Sequence, residues 1–115
     1  MIERDSCSVK KLPAAKIEEY ERVQDRISAI ANKYRIAILL QLDEHGELCA
    51  CDLEPVLKLS QSSVTLHLQK LYRAGFLKKT EKGKYTYYDI KDEGRAILTL
   101  LKTLNDRKRI ERAMT

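Results

Sequence analysis

No stretch of this 115-residue sequence approaches the roughly 18 uncharged apolar residues that a membrane span requires. The longest apolar run, Ile36-Ala-Ile-Leu-Leu40, has five residues. The opening Met1-Ile-Glu-Arg-Asp-Ser6 has no signal-peptide core, so the expected location is the cytoplasm. Cysteine is scarce: Cys7, Cys49 and Cys51 are an odd number and too few for a disulfide framework. Cysteines separated by one residue are also poorly placed to bridge each other without strain, so all three are expected to be free thiols. There are two histidines, His45 and His67, no Gly-rich phosphate loop and no His-Glu-x-x-His. Neither histidine has a convincing nucleophile partner, which argues against an enzyme. Internal repeats and low-complexity segments are lacking too.

What is present is one domain's worth of chain, 43% hydrophobic and 34% charged. Leu, Ile, Val and Tyr recur throughout, against wholesale disorder. The net charge of +5 is unevenly placed: residues 1–60 sum to −2 and residues 61–115 to +7. A clustered positive field suits a polyanion, with nucleic acid the first candidate and a membrane surface the second.

Residues 1–13 are polar, end at Pro13 and are expected to form a flexible arm; residues 14–115 form the folded domain. Ile17, Tyr20, Val23, Ile27, Ile30 and Ala31 follow the spacing of one helical face, predicting a helix from about Pro13. A second helix is predicted over about Tyr34 to Leu42, then a turn at Asp43–Gly46 with Gly46 free to take positive φ. A short third helix has Asp52 as its expected N-cap, which places Pro55 in the first turn, where its missing N–H does no harm. Ser60 is the expected N-cap of a fourth helix, Gln61 to Ala74, with Val64, Leu68 and Leu71 as its apolar stripe and Gly75 as a left-handed stop. The period then changes to two: Phe76–Lys79 and Tyr85–Ile90 read as strands joined by the turn Thr80–Lys84. A final helix, about Asp92 to Met114, carries Ile97, Leu98, Leu101, Leu104 and Ile110 on one face. The order predicts a mainly helical domain with a small β-hairpin, a winged helix-turn-helix.

Two helices joined by three or four residues, the second polar on its outer face, are the arrangement that places a helix in the major groove. Gln61, Ser62, Thr65 and Gln69 are the candidates for base edges, and Ser63, Lys70 and Arg73 for phosphates. Lys79, Lys82 and Lys84 on the hairpin would meet the backbone or minor groove. A solvated helix would carry similar residues. The helix pair, the basic hairpin and the +7 half together favour double-stranded DNA.

Cys49 and Cys51 fall at the start of the third helix. Inside a regular helix their thiols would splay roughly 200° apart, but at a helix start both can turn towards one ion. The positive end of the helix dipole also favours thiolate, the metal-binding form. Two sulfurs are too few for a tight site, and Cys7 on the arm can supply a third.

Several segments resemble the ArsR/SmtB repressors: Arg35–Leu40, Gly46-Glu-Leu-Cys-Ala-Cys-Asp-Leu53, Leu59–Leu71, Ala74-Gly-Phe-Leu77 and Gly83–Tyr88. The resemblance covers about residues 17–104, with one departure: Leu66 stands where many members have His. It implies a homodimer through the first and last helices and, with two-fold symmetry, a palindromic operator. It also implies an inducer site at the Cys-x-Cys box. The pattern is closest to the cadmium/lead-responsive type, in which an arm cysteine reaches the box of the other subunit; that maps to Cys7, Cys49 and Cys51. Those repressors carry a second arm cysteine, but Lys10, Lys11 and Leu12 occupy that region here. Three sulfurs suit Pb(II), As(III), Sb(III) or Bi(III); Cd(II) or Zn(II) would recruit a fourth ligand such as water, Asp5 or His45. The family's other metal site, on the last helix, is expected to be absent, because Gly94 stands where a His belongs and no histidine follows His67. The expected function is a metal(loid)-responsive repressor that releases its operator when the ion binds. The alternative is a thiol redox or persulfide-responsive regulator of the same fold.

Overall fold

The computed structural model describes residues 8–106 together with 111, 112 and 114. Cys7, Asp5 and Ile110 lie outside the described residues. A 3-10 turn at Ile17–Tyr20 leads into α1 (Glu21–Ile30), followed by α2 (Lys33–His45), β1 (Leu48–Cys49), α3 (Ala50–Leu57), α4 (Gln61–Arg73), β2 (Leu77–Lys82), β3 (Tyr85–Ile90) and α5 (Asp92–Asn105). The expected winged helix-turn-helix is the observed fold. No helix among the described residues is long and apolar enough to cross a membrane.

The core is built from one face of each element. Ile38, Leu39 and Leu42 of α2 pack with Leu53 of α3, the α4 stripe Val64, Leu68 and Leu71, and Leu77, Tyr88 and Ile90 from the sheet. Leu98 and Leu101 close the core from α5. Local chemistry sets the helix ends. The Asn32 carboxamide oxygen accepts from the N–H groups of Tyr34 and Arg35 at 2.9 and 3.2 Å, capping α2. The Ser60 hydroxyl accepts from Ser63 N–H at 3.2 Å, as its place before α4 predicts. Gly46 and Gly75 both take positive φ.

Several boundaries differ from expectation. Helix α1 starts at Glu21 rather than near Pro13, because the preceding turn has no side-chain cap and buries none of its residues. Helix α2 runs through His45, so the predicted turn shrinks to Gly46 and Glu47. The hairpin is tighter than expected: Lys82 pairs with Tyr85, leaving Gly83 and Lys84 as a two-residue turn with Gly83 at φ +62. The sheet has three antiparallel strands in the order β1-β3-β2, since Leu48 and Cys49 pair with Tyr88 and Tyr87. The described part of α5 ends at Asn105.

The apolar stripe of α1 is largely uncovered. Val23 and Ile27 are more than half exposed, and only Ile30 is buried. A groove of about 330 Å³ runs between this stripe and Ala96 and Ile97 of α5.

Two contacts fix how the elements meet. Gly94 lies against the turn into β2: a Cβ at this position would meet the Phe76 carbonyl oxygen and come within 2.8 Å of Ile90 Cγ2. The same carbonyl accepts from Lys91 N–H at 2.9 Å, so it is not free to move aside. Gly94→Ala should therefore cost about 1–3 kcal/mol by overpacking, seen as a lower urea midpoint with an unchanged slope.

The second contact is Arg35, buried beneath α4. Its Nε donates to the Ala29 carbonyl at 2.5 Å, and its Nη1 lies 3.0 Å from His67 Nδ1. The guanidinium can only donate, so His67 is the acceptor and is held neutral. Burial first, then the charges of Arg35 and Lys70, push the His67 pKa below its ordinary value of 6.5. The unfolded imidazole takes a proton near 6.5 while the folded one resists it. This contribution to stability is thus complete above about pH 6.5 and is lost as pH falls below it. Urea midpoints should fall on acidification through this range in the wild type, and less steeply in His67→Gln.

Candidate nucleic-acid interface and thiol centre

Residue 49 is at once the end of a strand and the cap of a helix. Its backbone is extended, at φ −94 and ψ 169, and pairs with Tyr87; the chain then turns directly into α3. Cys49 is therefore the N-cap, and Asp52 sits three residues on, its carboxylate accepting from Cys49 N–H at 3.0 Å. This corrects the expectation that Asp52 itself caps the helix. A strand-paired residue 49 starts the helix earlier, and the carboxylate reaches back in the manner of a capping box. Pro55 consequently lies inside α3 rather than in its first turn. Having no N–H, it cannot give the helical bond due to the Cys51 carbonyl.

The Cα atoms of Cys49 and Cys51 are 5.2 Å apart, inside the range that a disulfide spans. The two residues are joined by a disulfide. The expectation of free thiols at 49 and 51 is corrected accordingly: in a uniform helix side chains two residues apart point to nearly opposite sides, whereas at Cys49 the chain passes from extended strand into helix and the two side chains meet. Cys49 is buried and Cys51 exposed. The two sulfurs and a carboxylate oxygen of Asp52 lie within 4.8 Å of one another, a cluster that could hold a metal ion once the disulfide is reduced to thiolates. His45 is outside it, at the end of α2 and 3.9 Å from the Glu44 carboxylate. Asp52, expected from the sequence only as a helix cap, is the third member of the cluster. Its spacing of three from Cys49 was the available clue.

The cysteine pair opens on a cleft of about 280 Å³ shared with α4 and the hairpin. Gln61, Thr65 and Gln69 line it from α4, and Lys79, Lys84 and Tyr85 from the strands and their turn. The structure thus gathers three of the four candidate base-reading residues with two of the three hairpin lysines, against the thiol centre. Gln61 and Ser62 are exposed, Thr65 and Gln69 half-buried.

The other candidates are placed differently. Ser63 is tied into the cap of α4, its hydroxyl accepting from the Ser60 hydroxyl at 3.1 Å. Lys70 and Arg73 line a separate hollow of about 680 Å³ with Arg22 and Arg26 of α1. The Lys79 ammonium sits 4.6 Å from the centre of the Tyr72 ring. Lys82 forms an ion pair with Glu47, whose hydrogen bond and charge push the lysine pKa up. Its side chain also lies over Tyr87.

Residues 32–79 match the family described as "Bacterial regulatory protein, arsR family". The chain is 33% identical over 78 residues to an arsenical resistance operon repressor of Bacillus subtilis, covering 68% of this chain and 74% of that protein. It is 27% identical over 99 residues to a cadmium resistance transcriptional regulatory protein CadC homolog of Staphylococcus aureus, covering 78% of this chain and 82% of the relative. The fold is shared with the homodimeric winged helix-turn-helix DNA-binding domain of Mb0332 from Mycobacterium bovis. That match has a TM-score of 0.68 at 24% identity, over 85% of this chain and 91% of the other.

Proposed function

The chain belongs to the arsR family of bacterial regulatory proteins, and on that premise we propose a homodimeric transcriptional repressor whose palindromic operator is released when a soft thiophilic ion binds cysteine thiolates. The single observation that carries this reading is the gathering of Cys49, Cys51 and Asp52 on a cleft whose opposite wall is the polar face of α4. Thiolate donors with one carboxylate suit soft ions: Pb(II), Cd(II), As(III), Sb(III) or Bi(III), with Zn(II) also accommodated. The names of the arsenical and cadmium relatives point the same way.

When bound, such an ion supplies a cross-link between thiolates that the side chains cannot make while reduced. The protein's own groups do the rest. Asp52 holds the Cys49 N–H and keeps the start of α3 in place. Cys7 is proposed as the third sulfur, carried by an N-terminal arm that ends at Pro13. Residues 8–16, exposed and without regular secondary structure, span up to about 30 Å when extended. That reach suits a site on either subunit of a dimer. The uncovered α1 stripe and the groove beside Ala96 and Ile97 are the proposed dimer contact. On DNA, Gln61, Ser62, Thr65 and Gln69 would read bases, while Ser63, Lys70, Arg73, Lys79, Lys82 and Lys84 would meet the backbone. Lys82 must first exchange Glu47 for a phosphate.

The Cys49–Cys51 disulfide favours a second function, a thiol redox switch. Two thiols would pass two electrons and two protons to an oxidant such as a peroxide or a low-molecular-weight disulfide, removing both ligands at once.

Band-shift titrations of an operator duplex separate the two. With fully reduced protein, Pb(II) or As(III) should weaken DNA binding by two decades or more, about 3 kcal/mol of coupling. Cys49→Ser should abolish both that response and the sulfur-to-metal charge-transfer absorption. Unchanged affinity with metal bound overturns the metal reading; release by peroxide alone, reversed by dithiothreitol, supports the redox switch. Metal stoichiometry per dimer in Cys7→Ser tests the third sulfur.

A further inference from the structure

Helix α4 carries one large apolar side chain where every neighbour is polar. Leu66 is 60% exposed. Two positions along an α-helix correspond to roughly 200° of rotation. Leu66 therefore points almost directly away from Val64 and Leu68, both fully buried. It stands at the crest of the outer face and shares a shallow hollow of about 460 Å³ with Gln61, Ser62, Thr65 and Gln69. A single exposed leucine is ordinary on a protein surface. This one differs in its setting: the side chains that share its hollow can all donate or accept hydrogen bonds, and they stand on the helix proposed above to enter the major groove.

In that groove the base edges offer donors and acceptors to the polar side chains. The one apolar feature is the C5-methyl group of thymine. A leucine at the crest leaves water only if it meets such a methyl. Facing a cytosine edge, it would strip water from the exocyclic amino group and return no hydrogen bond. We propose that Leu66 is a specificity-determining residue that selects a thymine in each operator half-site through its 5-methyl group. This rests on α4 being the DNA-reading helix.

The test uses the full-length reduced protein and duplexes that it selects from a random library. Each thymine of the selected site is replaced in turn by deoxyuridine, which lacks only the methyl, and affinity is read by fluorescence anisotropy. Wild type should lose about three- to tenfold at one thymine per half-site, the scale expected for one or two buried methyl-sized groups. Leu66→Ala should bind the thymine duplex weaker by a similar factor and no longer distinguish deoxyuridine there. Its unfolding midpoint should match wild type, because the side chain packs on solvent.

Selected sites with no fixed thymine, wild type indifferent to every deoxyuridine, or Leu66→Ala retaining the full penalty would each overturn the proposal. Failure of the underlying premise looks different: no duplex would be enriched at all, or binding would not weaken as salt is raised.

Discussion

The candidate site depends on a single backbone junction. Cys49 ends β1 with an extended conformation and caps α3 with the same φ and ψ, so a strand-to-helix change takes place within one residue. The ladder to Tyr87 fixes where the strand stops, and the Asp52 carboxylate on the Cys49 N–H fixes where the helix starts. With both ends determined, the backbone at residues 49 and 51 is set, and the two side chains can turn towards each other across a Cα separation of 5.2 Å.

The same junction places Cys49 and Cys51 on one cleft with α4. Helices α3 and α4 are joined only by Lys58, Leu59 and Ser60, with Lys58 in the left-handed region turning the chain back sharply. Helix α4 is pinned from below by Val64, Leu68 and Leu71 and from the side by the Arg35–His67 contact. A displacement at the start of α3 has little slack in which to dissipate before it reaches α4. Packed interiors of this kind shift between discrete arrangements instead of deforming smoothly.

Much of this was legible in the residues, and what was not has identifiable causes. Ser60, Gly46 and Gly75 could be read because a cap or a left-handed turn is specified within four residues. The α4 stripe could be read because Val64, Leu68 and Leu71 repeat at helical spacing and are all buried. β1 could not: it is two residues long and is defined by Tyr87 and Tyr88, some forty positions away. With β1 hidden, the sequence points to Asp52 rather than Cys49 as the helix cap, which sets Pro55 nearer the helix start and makes a bridge between Cys49 and Cys51 look strained. In the 3-10 turn and α1 that follows it, Ile17, Tyr20, Val23 and Ile27 have the spacing of a buried face yet lie open in the single chain. Periodicity shows that a face is apolar; it does not say what covers it.

Gly94 has a consequence for the history of the molecule. Residue 94 is where the family resemblance would put a histidine of the alternative metal site on the last helix, and here the Phe76 carbonyl occupies the space that any side chain would need. No single codon change can install that ligand without first remaking the seam between the wing and α5. Any new ligand at this end of α5 would therefore have to come from positions that already face outward, such as Asp92 and Glu93.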